Sequence, residues 1–117
     1  MKISDSEMEI MELIWRKGGE VTSGEIIDSL KEQWKPTTVQ TFLKRLTDKK
    51  ALDVRKEGKT NFYTAAITEE DYKREQTEDF LKDMHKGSVK SLLASLIGGK
   101  KVDKEELTEL RDWFETL

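Results

Sequence analysis

The 117-residue chain has no cysteine, a single proline and a single histidine. Without cysteine there is no disulfide, no thiolate metal ligand and no cysteine nucleophile, which is typical of proteins in a reducing cytoplasm. The one histidine, His85, is more typical of a surface residue than of a metal ligand, because protein metal sites combine several ligands. We therefore expect no metal, no other cofactor and a cytoplasmic location.

Long apolar runs are also missing from the sequence. No segment approaches the roughly 20 apolar residues that a helix needs to span a bilayer. The N-terminal residues lack the apolar centre of a signal peptide. We therefore expect no insertion into a membrane.

Features that would indicate an enzyme are few. Gly18-Gly19 and Gly98-Gly99 follow helical segments and end them, so neither pair indicates a phosphate-binding loop. The acidic clusters at residues 69–71 and 105–106 lie in first turns of predicted helices, where carboxylates favour the helix dipole. We do not expect an enzyme.

Positive charge is concentrated in one part of the chain, although the net charge is −3. Residues 31–59 hold 9 basic and 4 acidic side chains, whereas residues 67–117 hold 9 and 13. Because salt screens charges beyond about 8–10 Å, a local positive surface can attract a polyanion even in an acidic protein. A solvated surface without such a partner is the alternative explanation.

Periodicity and capping signals predict six helices and one hairpin. Ser4-x-x-Glu7 and Thr22-x-x-Glu25 begin the first two helices, and Pro36 begins the third in its favoured first-turn position. The predicted helices span about 4–17, 22–33, 36–50, 68–86, 88–97 and 103–117, and the predicted strands span 52–56 and 60–65. Three helices followed by a hairpin with a glycine turn at 57–59 are the order of a winged helix-turn-helix.

The composition changes at Thr68, which predicts a mostly α protein with a small β-hairpin wing and two domains. Residues 1–67 form the winged helix-turn-helix domain, and residues 68–117 form a helical domain with thin apolar stripes. A tail of this size is too small for a core of its own, so we expect it to pair with a second copy. The alternative is a monomer in which the tail folds back onto the winged domain. The residues expected at the dimer interface are Tyr72, Phe80, Leu81, Met84, Val89, Leu92, Leu93, Leu96, Leu107, Leu110, Trp113 and Phe114.

The third predicted helix has a polar face opposite its apolar one. At 100° per residue the apolar positions fall together, and on the opposite side lie Thr37, Gln40, Thr41 and Lys44, flanked by Thr38 and Arg45. Glutamine hydrogen-bonds adenine, threonine suits thymine, and cations suit phosphates. Because threonine is a poor helix former, its repeated use favours selection for contact over an ordinary solvated face. The predicted hairpin adds Arg55, Lys56 and Lys59 as wing contacts to DNA.

With these elements, the sequence resembles the penicillinase-repressor family of winged-helix regulators, which includes the BlaI, MecI and CopY types. The resemblance spans nearly the whole chain, and its most specific stretch is residues 34–41. It implies a C-terminal three-helix dimerisation domain and repression through a dyad-symmetric operator in double-stranded DNA. It also implies that Thr38, Gln40, Thr41 and Arg45 lie in the stretch that meets DNA.

The sequence departs from this family at several positions. Family members of the antibiotic-resistance type are inactivated by cleavage downstream of a membrane sensor-protease, and the matching bond is Ser95-Leu96 where the family usually has Asn-Phe. The cysteine-rich motif of copper repressors is absent. Lys50 stands where the family often has glycine. Lys35 replaces a common serine cap at a cost of about 0.5–2 kcal/mol, which a phosphate contact by its own ammonium would partly offset.

We therefore expect a dimeric, sequence-specific DNA-binding repressor. The competing hypothesis is a winged-helix protein-interaction module that binds no DNA, since this fold has many uses. Net acidity favours that alternative, whereas the third helix favours the repressor.

Overall fold

A computed structural model describes all residues 1–117, which form two compact units, Met1–Arg74 and Glu75–Leu117. The elements are α1 (Asp5–Lys17), β1 (Val21–Thr22), α2 (Ser23–Ser29), α3 (Pro36–Asp48), β2 (Leu52–Glu57), β3 (Thr60–Ala65), α4 (Glu69–His85), α5 (Val89–Gly98) and α6 (Lys104–Glu115). The six helices and the hairpin confirm the predicted fold class. The functional division after residue 67 stays a prediction.

Side-chain caps begin most of the helices. The Ser4 hydroxyl accepts from the Glu7 amide while the Glu7 carboxylate accepts from the Ser4 amide, which is the predicted capping box. The side chains of Thr22, Ser88 and Asp103 each accept an amide proton three residues further on. These short polar residues satisfy amides that have no partner within the helix.

The second helix is shorter than predicted: it ends at Ser29, whereas the sequence predicted an end near residue 33. Beyond it the chain turns, and the amides of Gln33 and Trp34 both donate to the Leu30 carbonyl. Lys35 is extended, with ψ 153°, as the residue before proline must be. The chain leaves α2 early because this turn must lead into α3.

Strand β1 was not predicted. Its two residues pair with β3, Val21 with Tyr63 and Thr22 with Phe62, so the sheet order is β1-β3-β2. Two residues show no alternation that a sequence pattern could reveal, and Thr22 also serves as the helix cap.

The core of the first unit lies between α1, α2, α3 and the sheet. Its fully buried members include Ile10, Met11, Ile14, Ile26, Val39, Leu43, Leu46 and Leu52. The start of α4 joins this core, because the Tyr72 hydroxyl accepts from the Ile3 amide and the Trp15 indole donates to the Ile67 carbonyl. Tyr72 was expected at a dimer interface, but its ring is buried within its own chain, and we assign it to the core.

The second unit has no buried residue. Its large apolar side chains remain substantially exposed, among them Phe80, Met84, Val89, Leu96, Ile97, Trp113 and Phe114. A unit of 43 residues without a closed core has apolar surface that its own chain leaves uncovered. None of the helices is both long and apolar enough to cross a membrane.

Candidate nucleic-acid interface

Helix α3 presents the predicted polar face to the surface. Val39, Leu43 and Leu46 are buried and anchor the helix on the core. On the opposite side Thr37, Gln40, Thr41, Lys44 and Arg45 are exposed, and Thr38 is half-buried. The polar face is therefore free to meet another molecule.

Two threonines of α3 donate their hydroxyl protons to the helix backbone. The Thr41 hydroxyl donates to the Thr37 carbonyl at 3.0 Å, one turn earlier, and the Thr47 hydroxyl does the same to Leu43. This bonding gives each hydroxyl proton an acceptor within the helix, although bonding of this kind slightly destabilises a helix. The Thr41 oxygen can still accept a hydrogen bond, and the methyl group can still contact an apolar base edge.

The N-terminus of α3 has no side-chain cap. Lys35 is the N-cap residue and makes no capping hydrogen bond, as the sequence predicted, while Pro36 occupies the first turn. Lys35 is exposed, and its carbonyl accepts from the Thr38 and Val39 amides. Pro36 has no amide proton, so the Thr37 amide is the one that the first turn leaves without a helical partner. A phosphate oxygen placed there would meet both a cation and the positive end of the helix dipole.

The C-terminus of α3 is held by a residue that the sequence analysis missed. Glu7 is 1% exposed, and its Oε1 accepts from the Ser4 amide at 2.8 Å and from the Lys49 ammonium at 2.5 Å. Its Oε2 is buried without a partner. Burial acts to raise the pKa of Glu7, but the hydrogen bonds from Lys49 and Ser4 outweigh burial and hold that pKa below its ordinary value. Only the capping motif was visible in the sequence, since the partner lies 42 residues away.

Lys50, next to this ion pair, has a positive φ of 67°. The resemblance implied a backbone conformation typical of glycine at this position, and the positive φ confirms it. A side chain in this region costs roughly 1 kcal/mol relative to glycine.

The wing, which we define as the hairpin Leu52–Ala65, has two different faces. Arg55 pairs with Phe62 and Lys56 pairs with Asn61 across the strands. Because neighbouring residues of a strand point to opposite faces, Arg55 and Lys56 lie on opposite sides of the wing. Lys59 lies in the turn, after Gly58 with a φ of 62°.

An open cleft of about 340 Å³ separates α3 from the Lys56 face of the wing. It is lined by Gln40, Lys44, Thr47, Asp48, Val54, Lys56, Asn61 and Tyr63. Asn61 and Tyr63 were not among the predicted contacts. The predicted hairpin could have indicated Asn61, because the strand register places Asn61 opposite Lys56, and paired residues lie on the same face of the sheet.

The predicted cations of this interface differ in what they already bind. The Lys44 ammonium pairs with Asp48 at 3.1 Å on the exposed surface, and Arg55 pairs with Glu20 and Glu57. The Arg45 guanidinium lies 6.0 Å from the centre of the Phe42 ring and has no carboxylate partner. The other predicted cations are exposed and form no ion pair, namely Lys35, Lys56 and Lys59.

The predicted cleavage bond lies inside a helix of the second unit. Ser95 and Leu96 are exposed residues of α5, and Leu96 is 37% exposed. No group of three or more His, Cys, Asp or Glu residues is arranged to hold a metal ion.

Comparison with known proteins agrees with this geometry. The sequence model of the family described as penicillinase repressor matches residues 3–116. The chain belongs to the penicillinase repressor family. A penicillinase repressor of Bacillus licheniformis is 36% identical over 111 residues, which cover 93% of this chain and 86% of that protein. The methicillin resistance regulatory protein MecI of Mammaliicoccus sciuri is 30% identical, with 95% of this chain and 91% of that protein covered.

Two solved structures of the family resemble a part of this chain. The DNA-binding domain of the repressor BlaI is 44% identical with a TM-score of 0.56, covering 61% of this chain and 88% of that domain. Monomeric BlaI of Bacillus licheniformis in complex with the blaP half-operator is 42% identical with a TM-score of 0.53, covering 62% and 89%. Both support the winged-helix architecture of this family member, and the first of them belongs to a repressor.

Proposed function

We propose that this chain is a transcriptional repressor that binds operator DNA through α3 and the wing. The observation that carries the proposal is the exposed Thr37–Gln40–Thr41 face of a helix whose other face is buried. A related winged domain has been solved with a half-operator, which supports the same use here. No enzymatic activity forms part of the proposal.

In the proposed complex α3 lies in the major groove. Gln40 and Thr41 contact base edges, and Thr37 and Thr38 lie beside them. Lys35, Lys44 and Arg45 contact phosphates on either side of the groove, which supplies affinity that depends on salt. Lys44 gives up its ion pair with Asp48 in order to contact a phosphate. This costs little free energy because the ion pair is exposed to solvent. Lys56 and Lys59 contact the backbone from the wing.

We further propose that the second unit forms a homodimer. Its uncovered apolar side chains supply the surface, including the predicted Phe80, Leu81, Met84, Val89, Leu92, Leu93, Leu96, Leu107, Leu110, Trp113 and Phe114. A twofold pair places two copies of α3 on half-sites about 34–36 Å apart or a multiple of that spacing. This arrangement requires an operator with dyad symmetry.

Inactivation by proteolysis at Ser95-Leu96 is a finer proposal that rests on family membership. Exposure of both residues supports access, but α5 must unwind locally before a protease can bind its backbone. Incubation with membranes that contain a sensor-protease of the family, followed by mass spectrometry, tests it. Two fragments divided after Ser95 are expected, and an intact chain would contradict cleavage at this bond.

Fluorescence anisotropy tests operator binding. A duplex selected from a random library is the probe, and titrations at several salt concentrations give the affinity and its salt dependence. We expect Gln40→Ala to weaken discrimination among sites by about 1–3 kcal/mol. The double variant Lys44→Glu, Arg45→Glu should lose binding, whereas Lys104→Glu in the second unit, the control, should not.

Unchanged binding by the double variant would contradict the proposed mechanism. A chain that selects no duplex at all would favour the alternative, a protein-interaction module. That alternative has no comparison in its favour, and the relatives named above are repressors and regulators.

A further inference from the structure

Arg55 is held in place more firmly than any other cation near the wing. Its Nε and Nη2 donate to the two carboxylate oxygens of Glu20 at 2.9 and 3.2 Å, and its Nη1 donates to Glu57 at 2.7 Å. Its guanidinium carbon lies 4.4 Å from the centre of the Phe62 ring. A planar guanidinium suits this combination of a two-point carboxylate contact and aromatic stacking.

These contacts cross the whole sheet. Arg55 belongs to β2, Phe62 to the central strand β3, and Glu20 immediately precedes the edge strand β1. The side chain therefore runs from one edge of the sheet over the middle strand to the other edge. We call Glu20, Arg55, Glu57 and Phe62 the wing clamp.

The outer part of the wing has little other support. Strand β1 pairs with β3 only at Val21 and Thr22, so the pairs from Lys56 to the turn form a ribbon of two strands. An isolated two-stranded ribbon is at best marginally stable in water. The wing clamp joins this ribbon to the segment that begins α2.

We infer that Arg55 is a positioning residue, which fixes the wing so that Lys56 and Lys59 face the duplex, and that it does not itself bind phosphate. Arg55 lies on the face opposite Lys56, and Lys56 is the one that lines the cleft against α3. Two carboxylates surround Arg55, so its immediate neighbourhood carries a net negative charge that disfavours phosphate. The inference rests on the proposed DNA binding, and it revises the contact role expected for Arg55.

Three variants separate positioning from direct contact. Arg55→Gln removes the charge, Arg55→Lys keeps the charge without the two-point geometry, and Lys56→Gln is the matched control on the other face. The first measurement is amide hydrogen exchange of residues 55–62 by NMR, on the full chain without DNA. Arg55→Gln and Arg55→Lys should both accelerate exchange, whereas Lys56→Gln should leave it unchanged.

The second measurement is affinity for the selected duplex at several salt concentrations. Both Arg55 variants should bind about 3- to 10-fold more weakly, with a nearly unchanged slope of log K against log salt. The loosened wing still reaches the duplex, but ordering it costs entropy. Lys56→Gln should instead reduce the slope by about 0.9, the value for one lost phosphate contact.

Two results would overturn the inference. Wild-type affinity for Arg55→Lys, together with a slope reduced by about one contact for Arg55→Gln, would show direct phosphate binding. Unchanged hydrogen exchange in both Arg55 variants would show that the clamp does not hold the wing. If the wild-type chain selects no duplex, the proposed function fails, while the exchange measurement still decides whether the clamp exists.

Discussion

At the scale of single residues, the least expected feature is the partly buried ion pair between Glu7 and Lys49 at the end of α3. Glu7 caps α1 and, through the same oxygen, holds Lys49 at the end of α3. One carboxylate thus links the first helix of the chain to the helix proposed to read DNA. Its second oxygen has no partner, so the ionised form depends strongly on the contacts that remain.

This ion pair predicts a pH dependence of stability. The pKa of Glu7 is lowered in the folded chain, so the stability it contributes is fully present above its unfolded pKa, near 4.5, and is lost as pH falls below it. Glu7→Gln should lower the free energy of unfolding by about 1–3 kcal/mol at pH 7. The difference between variant and wild type should shrink as pH falls below 4.5, as measured by urea unfolding with tryptophan fluorescence.

Glu25→Gln is the control for this prediction. Glu25 lies in the first turn of α2 and its carboxylate pairs with Lys17, but both side chains are about half exposed, so the substitution should change stability little at any pH. A Glu7→Gln difference that stays constant as pH falls well below 4.5 would contradict the linkage of this carboxylate to folding.

Local helix geometry could be predicted from the sequence, but contacts between distant residues could not. The outward positions of α3 followed from a period of 3.6 residues, because that period depends only on local geometry. The partners of Glu7 and Arg55 depend on long-range packing, and neither Lys49 nor Glu20 is near them in sequence. A basic residue in a hairpin looks like a DNA contact until its neighbours in space are known.

At the scale of elements, helix starts were predictable and some ends were not. Ser, Thr and Asp caps bond to amides three residues away, so their signal is local. The end of α2 was misplaced because the early exit at Leu30 serves the geometry of the turn into α3. Strand β1 is defined by its pairing with β3, and its two residues are too few to show an alternating pattern in the sequence.

The elements of the wing differ in how firmly they are fixed. The inner wing is covered by β1 and contributes Leu52 and Tyr63 to the core. The outer wing depends on the wing clamp, and it carries the exposed cations Lys56 and Lys59. This division places the contacts proposed for DNA on a part of the sheet where only two strands pair.

At the scale of the whole molecule, the two units differ in whether they bury apolar side chains. Met1–Arg74 closes a core of its own, whereas Glu75–Leu117 buries no residue. Trp113 and Phe114 on α6 are 55% and 51% exposed, and their ring centres lie 5.2 Å apart at an interplanar angle of 42°. Large aromatic side chains contribute strongly when an interface covers them, because each buries about 150–250 Å².

This contrast predicts a dimer that dissociates when the aromatic pair becomes charged. Sedimentation equilibrium should give twice the 13.6 kDa mass of one chain for the wild type. Trp113→Asp with Phe114→Asp should give the single-chain mass, because unpaired charge in an apolar interface is strongly unfavourable. Thr108→Asp, at an exposed polar position of the same helix, is the control and should remain a dimer.

The same variants connect assembly to DNA binding. A monomer occupies each half-site independently, so the double aspartate variant should retain affinity for an isolated half-site and lose the gain from two linked half-sites. Amide NMR spectra that match the wild type for residues 5–48 establish that α1–α3 remain folded in the variant. A wild-type chain of single mass with the same exposed tail would contradict the dimer. Equal affinity of wild type and variant for a full dyad site would contradict the joint use of two copies of α3.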